Sequence, residues 1–253
     1  MTRRGANLLL ARLAIVTAAV ALLELLARLG IFGPTLSVPP SAMLATLFAS
    51  LADGSLVPDV ARTATEIALA YALALGIGLP LGVVLWRSRR LAIAVEPYLL
   101  AYYVIPLFAF YPLFIKIFGG GIAPIVAIGV INGIGAIAMN VLVGLRGIPR
   151  VQLAVAQSLM LGHLQTLVHV VVPATVPQAF VGIRLGFIYA LIGVIAAEFI
   201  LATAGVGYRI AYDYNNFESK TMFAAILLVL IVSIACNQAL ISIERRLARY
   251  RHA

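Results

Sequence analysis

Long apolar runs separated by short polar breaks occupy most of this chain. A helix needs roughly 20 apolar residues to cross a hydrocarbon core about 30 Å thick, and six runs reach about that length. The apolar residues are continuous rather than alternating, which argues against transmembrane strands. The pattern predicts an all-α integral membrane protein with a single transmembrane domain over residues 1–253. Its six transmembrane helices are predicted at about 8–29, 60–86, 97–118, 122–145, 174–201 and 221–243.

The composition agrees with a membrane protein and argues against a soluble domain and a nucleic-acid-binding protein. Hydrophobic residues make up 63% of the chain, charged residues make up 11%, and mean hydropathy is +1.09. Soluble domains average about 45–50% apolar and about 25% charged residues. The net charge of +9 would fit a nucleic-acid partner, but the basic residues cluster at the ends of apolar runs. That placement is typical of orientation in a membrane, so no nucleic acid is expected.

The basic residues sort to one side of the six-helix arrangement. Cytoplasmic loops carry an excess of Lys and Arg, so both termini and the loop 146–173 are predicted to be cytoplasmic. Arg12, Glu24 and Arg28 interrupt the first apolar run, which favours a retained helix over a cleaved signal peptide. The predicted cytoplasmic side carries Arg3, Arg4, Arg87, Arg89, Arg90, Arg146, Arg150, Arg245, Arg246, Arg249 and Arg251.

The loop 146–173 has the pattern of helices rather than of a loop. Its apolar residues recur at intervals of three and four, with polar residues between them. Gly162 interrupts this period, which predicts two short helices, and Pro173 is expected to end the second so that the next span can begin. The recurring apolar residues are Leu153, Ala156, Leu159, Met160, Leu164, Leu167, Val168 and Val171.

The third predicted span is rich in aromatic residues and contains two prolines. Pro106 and Pro112 are expected to kink the helix and free backbone carbonyl groups, which lipid tolerates only where they face protein or a water-filled path. A pathway wall fits this pattern, and an interfacial aromatic belt with ordinary packing fits it equally. The pathway candidates are Tyr102, Tyr103, Pro106, Phe110 and Phe114 in this span, with Asn132 and Asn140 in the next.

Small residues recur at four-residue spacing in three of the spans, which predicts helices that approach closely. Arg62 and Glu66 are also four apart and can pair on one helix face. The stacked small residues are Gly78 and Gly82, Gly129 and Gly133, and Gly182, Gly186 and Ala190.

No catalytic or metal-binding constellation is visible in the sequence. His163 and His169 are six residues apart, so they do not share a helix face, and no other ligand is near. The single cysteine, Cys236, lies inside an apolar run. There is no phosphate-binding glycine loop and no nucleophile–base pair. The chain is therefore expected to hold no metal and to catalyse no reaction.

Three stretches together resemble the permease subunits of bacterial ABC importers of the nitrate/sulfonate/taurine group. They are "LSVPPSAMLATL", "LPLGVVLWRSRRLAIAVEPYLLAYYVIPLFAFYPLFIKIFGGG" and "GIRLGFIYALIGVIAAEFILATAGVGYRI". The loop 146–173 then corresponds to the family's Glu-Ala-Ala…Gly loop, with Gly162 as its glycine. Two departures stand out: Ala156 replaces the Glu six residues before that glycine, and the distance to Pro173 is two residues shorter.

The resemblance implies a type I ABC importer permease fold of six transmembrane helices with a cytoplasmic coupling helix. It implies two ATPase subunits that bind ATP and Mg²⁺, a second permease copy or paralogue, a periplasmic solute-binding protein and a bacterial inner membrane. No cofactor is expected on this chain. The residues expected to couple to the ATPase are Ala156, Gln157, Ser158, Gly162, His163, Gln165 and Pro173.

Glu198 is predicted to hold down the loop that follows the fifth span and to support an outer gate. A carboxylate at the outer end of a span needs hydrogen bonds or a cation. The loop offers the amides near Gly205 and Gly207 and the guanidinium of Arg209.

The expected cargo is a small organic or inorganic anion, such as a sulfonate, nitrate or aromatic acid. An ion-coupled carrier or channel and a membrane scaffold that does not transport are the alternatives. The sequence shows no series of acidic residues or histidines in mid-membrane that would relay protons, and no visible internal repeat. Both features count against an ion-coupled carrier.

Overall fold

The computed structural model describes residues 3–31, 33, 37–101 and 105–249, and every regular element in these ranges is helical. This agrees with the predicted all-α class. Within the described ranges, five helices are long and apolar enough to cross a membrane. They cover Leu10–Arg28, Val57–Arg87, Ile122–Arg146, His163–Ile200 and Ser219–Arg245.

The elements follow one another with short connections. A 3-10 turn at Leu107–Phe110 precedes α5, and a π turn at Leu167–Val171 joins α8 to α9. The helices are α1 (Arg3–Arg28), α2 (Pro40–Ala52), α3 (Val57–Arg87), α4 (Arg89–Ala101), α5 (Tyr111–Phe118), α6 (Ile122–Arg146), α7 (Arg150–Ser158), α8 (His163–Thr166), α9 (Val172–Leu201), α10 (Val206–Asn215) and α11 (Ser219–Arg249).

Helices α3, α6 and α9 form the core of the molecule, with α6 the most enclosed. Glycines bring these helices together. A Cβ atom added at Gly82 of α3 would lie 2.6 Å from Val141 Cβ of α6, and one added at Gly129 of α6 would lie 2.7 Å from Val194 Cγ2 of α9. Such distances leave no room for a larger residue, so the predicted close approach of the glycine faces is confirmed.

The third predicted span is not one helix, and that prediction was wrong for 97–118. Helix α4 ends at Ala101, Ile105 and Pro106 are not helical, and α5 begins at Tyr111. Proline lacks an N–H group and disfavours helical backbone in the residue before it, so Pro106 breaks the helix instead of kinking it. Pro112 lies in the first turn of α5, where proline is well accommodated, and causes no kink.

The fifth predicted span begins earlier than expected, because the helix does not end at Pro173. From His163 the chain stays helical to Leu201, and the π turn ends at Val171, two residues before this proline. A π turn shifts the hydrogen-bond register at the place where the proline cannot donate. Thr175 Oγ1 also donates to the Val171 carbonyl oxygen at 2.8 Å. The prediction that Pro173 separates the second short helix from the span was wrong.

Helices α1 and α11 lie at the periphery. Glu24 attaches α1 to α2, because its carboxylate accepts hydrogen bonds from the Ser41 hydroxyl at 2.7 Å and the Ser41 N–H at 3.0 Å. Helix α11 packs mainly against α2 and α10, and an ion pair of 3.3 Å between Arg184 and Glu244 joins it to α9. The apolar side chains of α1 remain largely exposed.

Candidate functional site

Glu198 of α9 is fully buried and holds the start of α10. Its Oε1 atom accepts a hydrogen bond from Thr63 Oγ1 of α3 at 2.6 Å, and its Oε2 atom accepts one from the Gly207 N–H at 2.8 Å. A buried carboxylate needs such partners, because it has lost its hydration. Glu198 therefore joins three helices in one polar contact.

Side chains of α3 bind two more N–H groups at the start of α10. An α-helix leaves its first N–H groups without partners inside the helix. The Gly205 N–H donates to Asp59 Oδ1 at 2.8 Å, and the Val206 N–H donates to Thr63 Oγ1 at 2.8 Å. We name this arrangement the outer clamp, after the side on which the sequence predicts it. It consists of Asp59, Thr63, Glu198 and the backbone of 205–207.

A second buried carboxylate, Glu66, lies beside Glu198. Glu66 forms an ion pair of 3.0 Å with Arg62, so the pairing predicted from their spacing is confirmed. Among the residues that the structure describes, Glu66 Oε2 has no hydrogen-bond partner. Of the two partners that the sequence offered Glu198, the glycine amide is confirmed by the Gly207 N–H, whereas Arg209 pairs with Asp213 at 3.1 Å.

The sequence reasoning missed Asp59 and Thr63. Together with Glu66 they recur at intervals of four and three, which places them on one face of α3. That periodicity was visible in the sequence. Nothing local indicates that this face meets the start of α10, because the two contacts join residues 146 and 143 positions apart.

The structure explains why positions 205 and 207 of the outer clamp are both glycine. Gly205 has φ of 111° and ψ of 165°, a backbone conformation that is essentially restricted to glycine. A Cβ atom at Gly205 would also collide with the Glu198 carboxylate. A Cβ atom at Gly207 would lie 2.6 Å from Glu198 Cβ and 2.6 Å from the Ile195 carbonyl oxygen.

The segment between α6 and α9 forms an elbow, defined as residues 150–171, that exposes apolar side chains. Met160 is 91% exposed, Leu164 is 73% exposed and Leu159 is 65% exposed. A cluster of large exposed apolar side chains marks a contact with a partner or a membrane. No Asp or Glu occurs between Glu96 and Glu198, so the elbow carries no negative side chain.

The turn inside the elbow places a methionine where glycine is usual. Met160 has φ of 51°. The N–H groups of Met160 and Leu161 donate to the carbonyl oxygens of Gln157 at 2.9 Å and Ala156 at 3.1 Å. These two bonds form a Schellman motif, in which Met160 takes the left-handed C′ position. A residue other than glycine costs about 1–2 kcal/mol in that conformation.

Gly162 lies outside the left-handed turn of the elbow. Its φ of −63° and ψ of 163° are extended, and it precedes α8 as the N-cap. Its N–H donates to Gln165 Oε1 at 3.1 Å, and an added Cβ atom would meet nothing closer than 3.8 Å. The glycine-type position is therefore Met160. Counting from Met160 lengthens the distance to Pro173 by two residues and removes the shortening seen in the sequence.

Ala156, one of the predicted coupling residues, is only 2% exposed. It is packed within the elbow and cannot present a side chain to a partner. With Met160 as the glycine position, the residue six positions earlier is Ala154, which is exposed and again not acidic. The other predicted coupling residues, which are exposed, are Gln157, Ser158, Gly162, His163, Gln165 and Pro173.

The aromatic pathway candidates differ in their surroundings. Tyr102 and Tyr103 lie outside the described residues. Phe110 is 49% exposed, in the short turn that follows Pro106. Phe114 is partly buried against the core of α6 and α9, and its ring stacks on Phe118 at a centroid distance of 6.2 Å.

The two asparagines of α6 are both hydrogen-bonded. Asn132 Nδ2 donates to the Ile128 carbonyl oxygen at 3.0 Å. Asn140 Oδ1 accepts a hydrogen bond from Gln178 Nε2 of α9 at 3.0 Å. Both side chains are partly exposed, so they retain a face toward the surroundings of the bundle.

The sequence profile of the family "Binding-protein-dependent transport system inner membrane component" matches residues 74–249. This range begins within α3 and includes α6, the elbow, α9, α10 and α11.

Three relatives cover most of the chain. A Bacillus subtilis protein assigned as the aliphatic sulfonates transport permease SsuC is 26% identical over 92% of this chain and 85% of its own length. The taurine transport system permease protein TauC of Escherichia coli is 27% identical over 87% and 82%. The nitrate import permease protein NrtB of Leptolyngbya laminosa is 27% identical over 73% and 66%.

A solved structure shares the fold. An inward-facing conformation of the MetNI methionine ABC transporter contains a chain that superposes with a TM-score of 0.65 at 20% identity. The superposition covers 76% of this chain and 95% of that chain.

Proposed function

Because the chain belongs to the binding-protein-dependent transport system inner membrane component family and is a permease subunit of an ABC transporter, we propose that its cargo is a small anion. The observation that carries this proposal is the set of relatives named for sulfonates, taurine and nitrate, which match most of the chain. The aromatic segment before α6 favours an organic anion over nitrate. Membership of this family argues against the two alternatives, an ion-coupled carrier and a scaffold that does not transport.

The cargo can be tested in proteoliposomes that contain this chain with the ATPase and the solute-binding protein that co-purify with it. ATP-dependent accumulation is measured for taurine, an alkanesulfonate, an aromatic sulfonate and nitrate, with methionine as the comparison. At least one anion is expected to accumulate, and an excess of another anion is expected to inhibit its uptake. Accumulation of methionine with none of the anions would contradict the proposal.

The family implies an ATPase and a solute-binding protein as partners, and we propose how this chain meets them. Two ATPase subunits, which hold ATP and Mg²⁺, dock on the elbows of two permease chains, either two copies or this chain and a paralogue. Arg146 and Arg150, just before and at the start of the elbow, favour the cytoplasmic side, and we propose both termini on that side. The solute-binding protein then meets the opposite face, near the outer clamp. This chain itself catalyses no reaction.

The exposed leucine of α8 provides the first test of docking. Leu164→Glu is expected to lower ATPase association and ATP-driven uptake by about tenfold or more, because burying an apolar side chain contributes about 1.5–3 kcal/mol and a buried unpaired charge adds to the loss. Co-purification of the ATPase and uptake measure the effect.

Phe217→Glu is the matched control for Leu164→Glu. Phe217 is 79% exposed in the turn between α10 and α11, which the proposed orientation places on the other side of the membrane. The Phe217→Glu variant should therefore leave ATPase association unchanged. Equal losses in both variants, or full association of Leu164→Glu, would show that the elbow is not the docking surface.

The segment after Pro106 is proposed to border the transport pathway. In a Cys236→Ser background, Phe110→Cys is expected to react with a small polar thiol reagent, and Phe114→Cys is expected to react less because its side chain packs against the core. Leu73→Cys is the control, because Leu73 is 51% exposed but lies within α3. Labelling of Leu73→Cys as fast as Phe110→Cys, or no labelling of either phenylalanine site, would assign these aromatics to packing.

The outer clamp is proposed to hold the outer mouth closed while the pathway faces inward. Its support is a row of three hydrogen bonds, two of them buried and one partly buried. Asp59, Thr63 and Glu198 bind consecutive N–H groups at the start of α10. A clamp of this kind fixes α10 against α3 and α9 until a partner provides energy to release it. Glu198 has a supporting role here rather than a contact with the cargo, since it would repel an anion.

A further inference from the structure

The side chain of Met160 packs little against the rest of this chain. The residue is 91% exposed, and its φ of 51° is a conformation that favours glycine. A glycine would make the same Schellman hydrogen bonds with less strain. An unfavourable backbone conformation that serves no packing within the described chain points to a role outside it.

We propose that Met160 is the anchor of the elbow, inserted into an apolar pocket of the ATPase subunit whose rim is acidic. The inference rests on the proposed function, in which the elbow meets that subunit, and it adds which side chain carries the contact and what the partner's surface must offer. Methionine is suited to such a role, because its flexible, polarizable side chain fills irregular apolar pockets. Exposed Leu159 and Leu164 lie on either side along the chain.

The charge of the elbow supports the acidic rim. Arg150 is exposed there, and no Asp or Glu occurs between Glu96 and Glu198, so the elbow carries a formal charge of +1 with histidine taken as neutral. Complementary charges at the edge of an interface guide association and exclude wrong partners. An anionic membrane surface could attract the same groups, but the elbow holds its apolar side chains on a defined turn between two helices, which fits a shaped protein pocket better than a fluid surface.

The turn between α10 and α11 supplies a matched control within the same chain. Phe217 has φ of 60°. Its N–H donates to the Tyr214 carbonyl oxygen at 3.2 Å, and the Glu218 N–H donates to the Asp213 carbonyl oxygen at 2.8 Å. This is the same Schellman motif with another exposed apolar residue at C′. Phe217→Gly therefore relieves the same strain away from the elbow.

The test uses the full-length chain in phosphatidylcholine nanodiscs, and the probe is the ATPase that co-purifies with the wild-type chain, separated and added back. Met160→Gly is expected to raise the Kd for the ATPase by about tenfold or more, the loss of one buried apolar side chain, without lowering the Tm of the permease. Met160→Leu should stay within about threefold of the wild type, and Phe217→Gly should not change the Kd. Arg150→Gln should reduce the dependence of the Kd on salt concentration.

Each other outcome overturns the proposal in a recognisable way. If the wild-type chain binds the ATPase and Met160→Gly binds it equally well, the anchor is wrong while elbow docking still stands. If Leu164→Glu also binds the ATPase as well as the wild-type chain does, elbow docking itself fails. A Met160→Cys, Cys236→Ser chain should react with a polar thiol reagent and be protected by the ATPase. Protection by phosphatidylglycerol alone, with no further effect of the ATPase, would assign the anchor to the membrane.

Discussion

Replacing Glu198 by alanine is expected to raise the basal, substrate-independent ATPase activity of the assembled transporter by about fivefold or more. The change leaves the Thr63 hydroxyl and the Gly207 N–H without their buried acceptor. An unsatisfied buried group costs about 1–3 kcal/mol, which corresponds to about 5–150-fold in a coupled conformational equilibrium. A weaker outer clamp favours opening of the outer mouth without the solute-binding protein, so ATP is hydrolysed without transport.

Glu198→Gln should give a smaller rise than Glu198→Ala. An amide keeps the shape of the side chain and one acceptor oxygen, so one of the two hydrogen bonds can persist. Steady-state ATPase rates of reconstituted complexes, with and without the binding protein, measure both variants. Unchanged basal rates together with an altered choice of cargo would make Glu198 a selectivity residue and contradict the gate role.

Gly205→Ala tests the same clamp by a steric route that replaces none of its polar side chains. Its φ of 111° excludes alanine without strain, and the new Cβ atom would collide with the Glu198 carboxylate. The variant should therefore raise basal ATPase activity as Glu198→Ala does. Gly120→Ala is the control, because an added Cβ atom there meets nothing within 4 Å. Its basal rate should remain that of the wild type.

Replacing Gly82 by alanine is expected to destabilise the core bundle by about 1–3 kcal/mol, the usual cost of inserting a methyl group into a filled space. The new Cβ atom would lie 2.6 Å from Val141 Cβ and 2.7 Å from the Ala138 carbonyl oxygen. Backbone cannot move aside as a flexible side chain can, so α3 and α6 must separate. The Tm of the purified chain in detergent measures the loss.

Gly76→Ala is the control for Gly82→Ala on the same helix. An alanine Cβ atom at residue 76 meets nothing within 4 Å, and alanine is the better helix former by about 0.5–1 kcal/mol. The Tm should rise slightly or stay unchanged. If both glycine replacements shift the Tm in the same direction and by the same amount, helix propensity rather than close packing decides the result.

Helix breaks show where sequence patterns stop being sufficient. The prolines at 106, 112 and 173 were all visible, but their effects differ because each depends on the hydrogen bonds around it. Pro106 interrupts the helix between α4 and α5, Pro112 lies in the first turn of α5, and Pro173 is accommodated after a π turn. Only the position of a proline within a hydrogen-bonded helix decides among these outcomes.

The sequence by itself determined the membrane class, the helical architecture, the family resemblance and the glycine faces of the core. These properties are local: the length of an apolar run and the spacing of small residues do not depend on which helix lies beside them. The same holds for the pair Arg62 and Glu66, which are one helical turn apart.

Only the tertiary structure decided which polar groups meet. Asp59 and Thr63 bind N–H groups more than 140 positions away, and Arg209 pairs with Asp213 rather than with Glu198. These contacts depend on how α3 and α9 are rotated about their axes, which the packing of the whole bundle sets. The left-handed backbone of residue 160 was likewise hidden, because a methionine conceals a conformation that a glycine would have indicated.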